Sequence, residues 1–378
     1  MRLRVWTEFL TGIIGFNICA AGWLLANNRQ ARECAPVSPA AYRVTDLGTL
    51  PGRQCYHGGG GINAQGDVVG ASTTADHNTH AFLWTAAHGI HDLGVIGGDS
   101  SYAYAVNDRR QIAGQTDTIP NATTKRYACL WQPDGSIKSL GSLPGSSCSA
   151  AMALNNRCTV VGYAYSPSDD APWWQWHNRA FIWDSAHGMR ALALPPGYSG
   201  SRAYAVNDHG DVAGWLLRGD RTRAVIWRGG RAIDIGADTH CSLSLATAID
   251  DSGKVAGSAG NGPRDVRAFL WDGGKVTLLG RLPWHTYNKA VAMSPGQEIV
   301  GDARSGAEYM PPFVYDPGHG MRNLNTLLPA SSGWYLEHVF AVNRRGQILA
   351  WGEYRNQSER MCLLTPSQSG ASGSGDGA

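Results

Sequence analysis

Three tryptophans in four residues, Trp173, Trp174 and Trp176, followed directly by His177, form the densest group of contact-making side chains in the sequence. Aromatic faces stack on sugar rings or form pockets for peptide side chains, and imidazoles bond hydroxyls, so this group points to ligand binding. A folding role competes with it, in which the segment turns inward and plugs a hydrophobic cleft. Further residues of the same chemistry recur along the chain: Tyr56, His57, Trp215, His240, Trp284, His285, Tyr287, Trp334, Tyr335 and His338.

Catalytic motifs are not evident. The sequence holds no Gly-x-Ser-x-Gly elbow, no His-Glu-x-x-His and no phosphate loop. Carboxylates such as Asp76, Asp99, Asp169, Asp302 and Glu337 are scattered, and no spacing selects a pair for glycosidic cleavage. His57, His240 and His285 lack short-spaced ligand partners, so neither a metal nor a cofactor is expected. Cys129 and Cys362 sit in apolar strand patterns and read as buried hydrophobes. A net charge of +2 with dispersed Lys and Arg does not suggest a nucleic-acid partner, and none is expected.

The elements that position these residues are set by an internal repeat. Ala103-Tyr-Ala-Val-Asn-Asp108 recurs as Ala203-Tyr-Ala-Val-Asn-Asp208, and alignment on the Asn gives seven copies: Asn63, Asn107, Asn155, Asn207, Asp250, Ser294 and Asn343. Their spacings of 44, 48, 52, 43, 44 and 49 residues match four-stranded propeller blades. Two residues before each anchor lies Gly or Ala, and one before it lies an apolar residue. Seven after it lies Gly, except at Ala350. A third strand ends in Trp84, Trp131, Trp183, Trp227 or Trp271, and a short fourth strand follows. These five Trp are expected in the core.

The pattern predicts an all-β, seven-bladed β-propeller over residues 42–366. The small residues are expected to line the crowded axis, with the apolar residues between them packing between blades. The last copy lacks a fourth strand, and Tyr42-Arg-Val-Thr-Asp-Leu-Gly48 is a spare one, so the N-terminal strand should close the ring. Blade three carries the aromatic segment as an insertion. The aromatic and His residues fall on loops between blades, or between second and third strands, at one end of the propeller. The Asn turns occupy the other end.

His80-Ala-Phe82, Asp92-Leu-Gly94 and Ala105-Val-Asn-Asp108 resemble the HAF repeat family of probable extracellular bacterial proteins. The resemblance covers nearly all of residues 42–366 and implies export and repetition, without an activity. The His of the motif occurs in one copy, and Arg179, Arg223 and Arg267 replace it elsewhere.

Arg2 and Arg4 precede an apolar run that ends near Ala26, so residues 1–26 read as a signal peptide, or else as a signal anchor. Residues 27–41 form a linker, and 367–378 read as a disordered Gly/Ser tail. The expected protein is therefore extracellular or periplasmic, or membrane-anchored with the propeller outside the cytoplasm. Its expected role is a monomeric, non-catalytic binding module for a glycan or peptide, touching a membrane only through an uncleaved N-terminal segment. A surface scaffold is the alternative, and a propeller hydrolase or lyase stands behind both.

Overall fold

The computed structural model describes residues 41–52, 55–118, 125–167, 178–262, 265–304, 311–355 and 358–367, with backbone alone for 55–58 and 358. The N-terminal segment, most of the Gly/Ser tail, and Trp173, Trp174, Trp176 and His177 lie outside the described residues. No helix among the described residues is long and apolar enough to cross a membrane.

Seven four-stranded antiparallel sheets form a seven-bladed β-propeller. Blades one to six span residues 55–92, 101–141, 148–191, 200–234, 243–278 and 287–323. Blade seven takes three strands from 334–366, and its outer strand is Tyr42–Asp46, with Val44 opposite Leu364. Leu47 donates its N–H to the Met361 carbonyl, and Arg360 bonds Asp46 at 2.9 Å, so side chains reinforce the closing ladder. The same contact joins third and fourth strands elsewhere, as His80–Asp92 at 2.8 Å and Arg223–Asp234 at 3.3 Å. Arg223 therefore takes the place of His80 in its blade, while Arg179 and Arg267 face Ala191 and Leu278 at the corresponding position of the fourth strand.

The core is divided among seven seams rather than held in one mass. Each seam has its own apolar cluster drawn from two adjacent blades. Phe82, Phe181, Phe269 and Phe313 are fully buried there, and the five third-strand Trp are buried as expected. Trp131 and Trp227 also donate Nε1–H to carbonyls of the preceding blade, at Leu93 and Ala193.

The apolar residue before each anchor packs between blades as expected, Val106 and Leu154 each belonging to a seam cluster, and the small residue departs from its expected place. The apolar residue also lines the channel mouth, as Val106, Leu154 and Val206 do. The small residue faces the neighbouring blade instead: a Cβ on Gly61 would lie 2.8 Å from the Ala105 Cα. The cause is a β-bulge in the first strand, between Ala103 and Ala105 in blade two and at the matching place in every other blade. One extra residue reverses the facing of those after it. The bulge also explains the Gly of the second strand, because a Cβ on Gly114 would meet the Tyr102 carbonyl at 1.9 Å.

Candidate functional site

The anchor Asn residues build one end of the channel. Asn155 illustrates the local chemistry. Its Oδ1 accepts the N–H groups of Arg157 and Thr159, which fixes the turn. The third residue after each anchor then takes a left-handed conformation, including the non-Gly residues Arg110, Cys158 and Gln297. The Asn155 Nδ2 is left over and donates to the Asn207 carbonyl of the next blade at 2.8 Å. Repetition makes a circular chain of side-chain amide bonds running Asn343, Asn63, Asn107, Asn155, Asn207, Asp250. A carboxylate cannot donate, so the chain stops at Asp250.

A second arc lies beside it. The residue after each anchor supplies a backbone N–H to the side-chain oxygen of its counterpart one blade on: Ala64 to Asp108, Asp108 to Asn156, Asn156 to Asp208, and Asp208 to Asp251. Arg344 of blade seven reaches past Ala64 to bond Asp108 of blade two. Together the two arcs enclose a cavity of about 500 Å³ with an apolar floor and a polar rim.

Sequence reasoning identified the anchors but missed their bonds between blades. It also missed Ser101, Ser149, Ser201 and Ser244, six residues before the anchor in blades two to five. Each accepts a backbone N–H from the third strand of the preceding blade, at Ala81, Ala128, Ala180 and Ala224. Their regular spacing was visible in the sequence.

At the opposite end the aromatic residues divide into two groups. Trp215 is 3% exposed and Tyr287 is 9% exposed, so both belong to the packing rather than to a ligand surface. Trp215 donates to Tyr204 Oη at 3.2 Å, and the buried Arg202 guanidinium lies between the rings of Trp215 and Tyr163. Trp334 is half-buried against Tyr354, with Arg355 on that ring's other contact at 5.1 Å. Tyr335 and His285 are half-buried, and His240 is exposed in a left-handed conformation. The side chains of Tyr56 and His57 lie outside the described residues. Trp284 stands apart, being 92% exposed at a φ of 68°.

Blades six and seven carry the main charged group. Asp302 is buried, 3.4 Å from Lys289 and 3.5 Å from His338, and accepts the Val339 N–H. Burial opposes ionisation of Asp302, and Lys289 and His338 outweigh it, holding the carboxyl below its usual range. An imidazole beside a carboxylate is an arrangement used in acid–base chemistry. Here it also staples the seam between blades six and seven, one of the two that the amide chain leaves open. Among the described residues, no group of His, Cys, Asp and Glu could hold a metal ion.

Next to His338, Glu337 is pushed up to about 6 by burial and then by the Glu353 carboxylate. A raised carboxyl makes the folded state bind protons more tightly than the unfolded state. Stability contributed by protonated Glu337 is therefore present below about pH 4.5 and lost as pH rises through about 6. Glu337→Gln should raise stability at pH 7.5 by on the order of 1 kcal/mol, with solvent screening reducing the effect. It should change little at pH 4. Urea midpoints at the two pH values test this, and an equal shift at both would refute it.

No protein-family model matches this chain, and no curated protein matches it in sequence. Solved structures do match it in shape. A virginiamycin B lyase from Staphylococcus aureus aligns at 12% identity and a TM-score of 0.52, over 86% of this chain and 100% of that one. One of two prolyl endopeptidases aligns at 10% identity and a TM-score of 0.54, over 86% of this chain and 50% of the other. The β-propeller domain of a trilobed protease from Pyrococcus furiosus aligns at 12% identity and a TM-score of 0.47, over 70% and 80%. At these identities the likeness concerns the fold alone.

Proposed function

We propose that this chain is an exported binding module that takes a glycan or peptide at the loop end of the propeller, opposite the Asn turns. The observation that carries the reading is Trp284. Leu282-Pro283-Trp284-His285 forms a tight turn in which the His285 N–H meets the Leu282 carbonyl at 3.1 Å. Leu143-Pro144-Gly145-Ser146 makes the same turn three blades earlier in the ring's repeat pattern, closed at 3.0 Å, with Gly145 at a φ of 82°. Pro second and Gly third is the residue choice that such a turn favours.

Trp284 occupies the Gly position. The left-handed conformation costs an L-residue roughly 1–2 kcal/mol, and a ring that is 92% exposed recovers little of that by burial. Strain kept without a packing return is characteristic of contact sites. Trp284→Gly should therefore raise stability by about 1 kcal/mol while removing binding on glycan and peptide arrays. A Gly variant that binds as the parent does would end the loop-end assignment. Export rests on the first 26 residues, and N-terminal sequencing of the protein recovered outside the cytoplasm tests it.

A further inference from the structure

The cavity inside the Asn turns lies at the other end of the channel from Trp284 and has no part in the reading above. Its volume of about 500 Å³ falls within the range of small-molecule sites. Its floor is apolar, formed by side chains such as Val106, Leu154, Val206 and Met293. The charge of its rim is not explained by folding. The position after each anchor needs only an oxygen that accepts the neighbouring N–H, and Asn156 does this for Asp108 with a neutral amide. Yet Asp108, Asp208 and Asp251 are carboxylates in the same role.

The chain itself shows what the rim accepts. Arg344, the one cationic residue among those lining the cavity, crosses from blade seven to Asp108. Its side chain is 59% exposed, so another cation can replace it at small cost. We propose that this mouth is a second ligand site, for a small molecule bearing an amine on an apolar body. The ammonium takes the Asp108–Asp208–Asp251 arc, displacing Arg344, and the body lies on the floor.

The probes are 1,6-diaminohexane and 1,6-hexanediol, which share a body and differ in charge, titrated calorimetrically into the full chain at low salt. The diamine should bind and the diol should not. Asp208→Asn with Asp251→Asn keeps both accepting oxygens and should weaken the diamine by about tenfold or more, each tenfold corresponding to 1.4 kcal/mol. Arg344→Gln should tighten it several-fold, and added salt should weaken it. Trp284→Gly should leave it unchanged, which separates this site from the loop-end one. Equal binding of diol and diamine, no diamine binding at millimolar concentration, or full binding by the double Asn variant would each overturn the proposal.

Discussion

Deleting residues 42–48 is expected to lower the melting temperature by roughly 10 °C and to make the protein aggregate. Tyr42 and Leu47 are buried in blade seven and its seams, and each stabilises the fold by about 1.5–3 kcal/mol through burial. Their combined loss, at roughly 2–4 °C per kcal/mol or somewhat less in a chain of this size, sets the expected shift. Other contacts go with them. Tyr42 donates its hydroxyl to Glu298 of blade six at 3.1 Å, and five residues of ladder with Ser358–Pro366 disappear. The newly uncovered strand carries Cys362, Leu363 and Leu364, all buried in the intact protein. An unpaired apolar edge of this kind recruits other chains. Differential scanning calorimetry with light scattering measures both effects. A truncated protein that melts where the parent does and stays monodisperse would show that the strand does not hold the ring closed.

The second large effect is expected at the amide chain. Asn155→Ala removes the acceptor for two turn N–H groups and the donor to blade four. With buried groups left unpaired, the cost should be about 3–5 kcal/mol. Asn155→Asp keeps the acceptor, as Asp250 does for Lys254, but puts a carboxylate beside the Asn207 carbonyl. Its cost should be about 1–3 kcal/mol, and it isolates the contribution of the bond between blades. The reciprocal change, Asp250→Asn, supplies a donor where the chain of amides ends and should be neutral or stabilising. Urea denaturation of the three variants is the measurement. If Asn155→Asp matched the parent, the amide would have no part in joining blades.

Much of this architecture was legible because a propeller repeats its constraints. The anchor spacing fixed the number of blades, and a spare strand at the start with a three-stranded copy at the end indicated how they close. The facing of the first strand was not legible. Alternation along a strand has a period of two, and the bulge beside Tyr104 and its counterparts breaks that parity without leaving a sequence mark that reads as a bulge. Strand ends are a second limit, and they misplaced Trp215 and Tyr287. Both were assigned to loops, but they lie within strands at Val212–Arg218 and Tyr287–Met293, where neighbouring rings and side chains cover them. The anchor Asn was visible as a turn residue. Its second role depends on where the next blade places a carbonyl, which no local pattern encodes. Trp284 was identified for its chemistry, and its strained turn became apparent only when φ could be compared between copies.

The closing strand has a consequence for how the molecule presents itself. Tyr42 lies opposite Pro366, and the Ser367 N–H bonds the Ala41 carbonyl at 2.8 Å, so chain entry and chain exit meet at one point. That point is on the Asn-turn side: Gln347 of the last turn bonds Thr365, and a Cβ on Gly346 of that turn would lie 3.3 Å from the Pro366 ring. Any tether joined at either end therefore pulls on the face that holds the acidic mouth and turns Trp284 toward the surroundings. Polymer joined upstream and downstream acts through a single pivot, leaving the far face sterically clear. Copies fixed to one support would then offer their loop ends in parallel, and under the proposed function a multivalent glycan or repeated peptide would meet several at once, with avidity exceeding the affinity of any one of them.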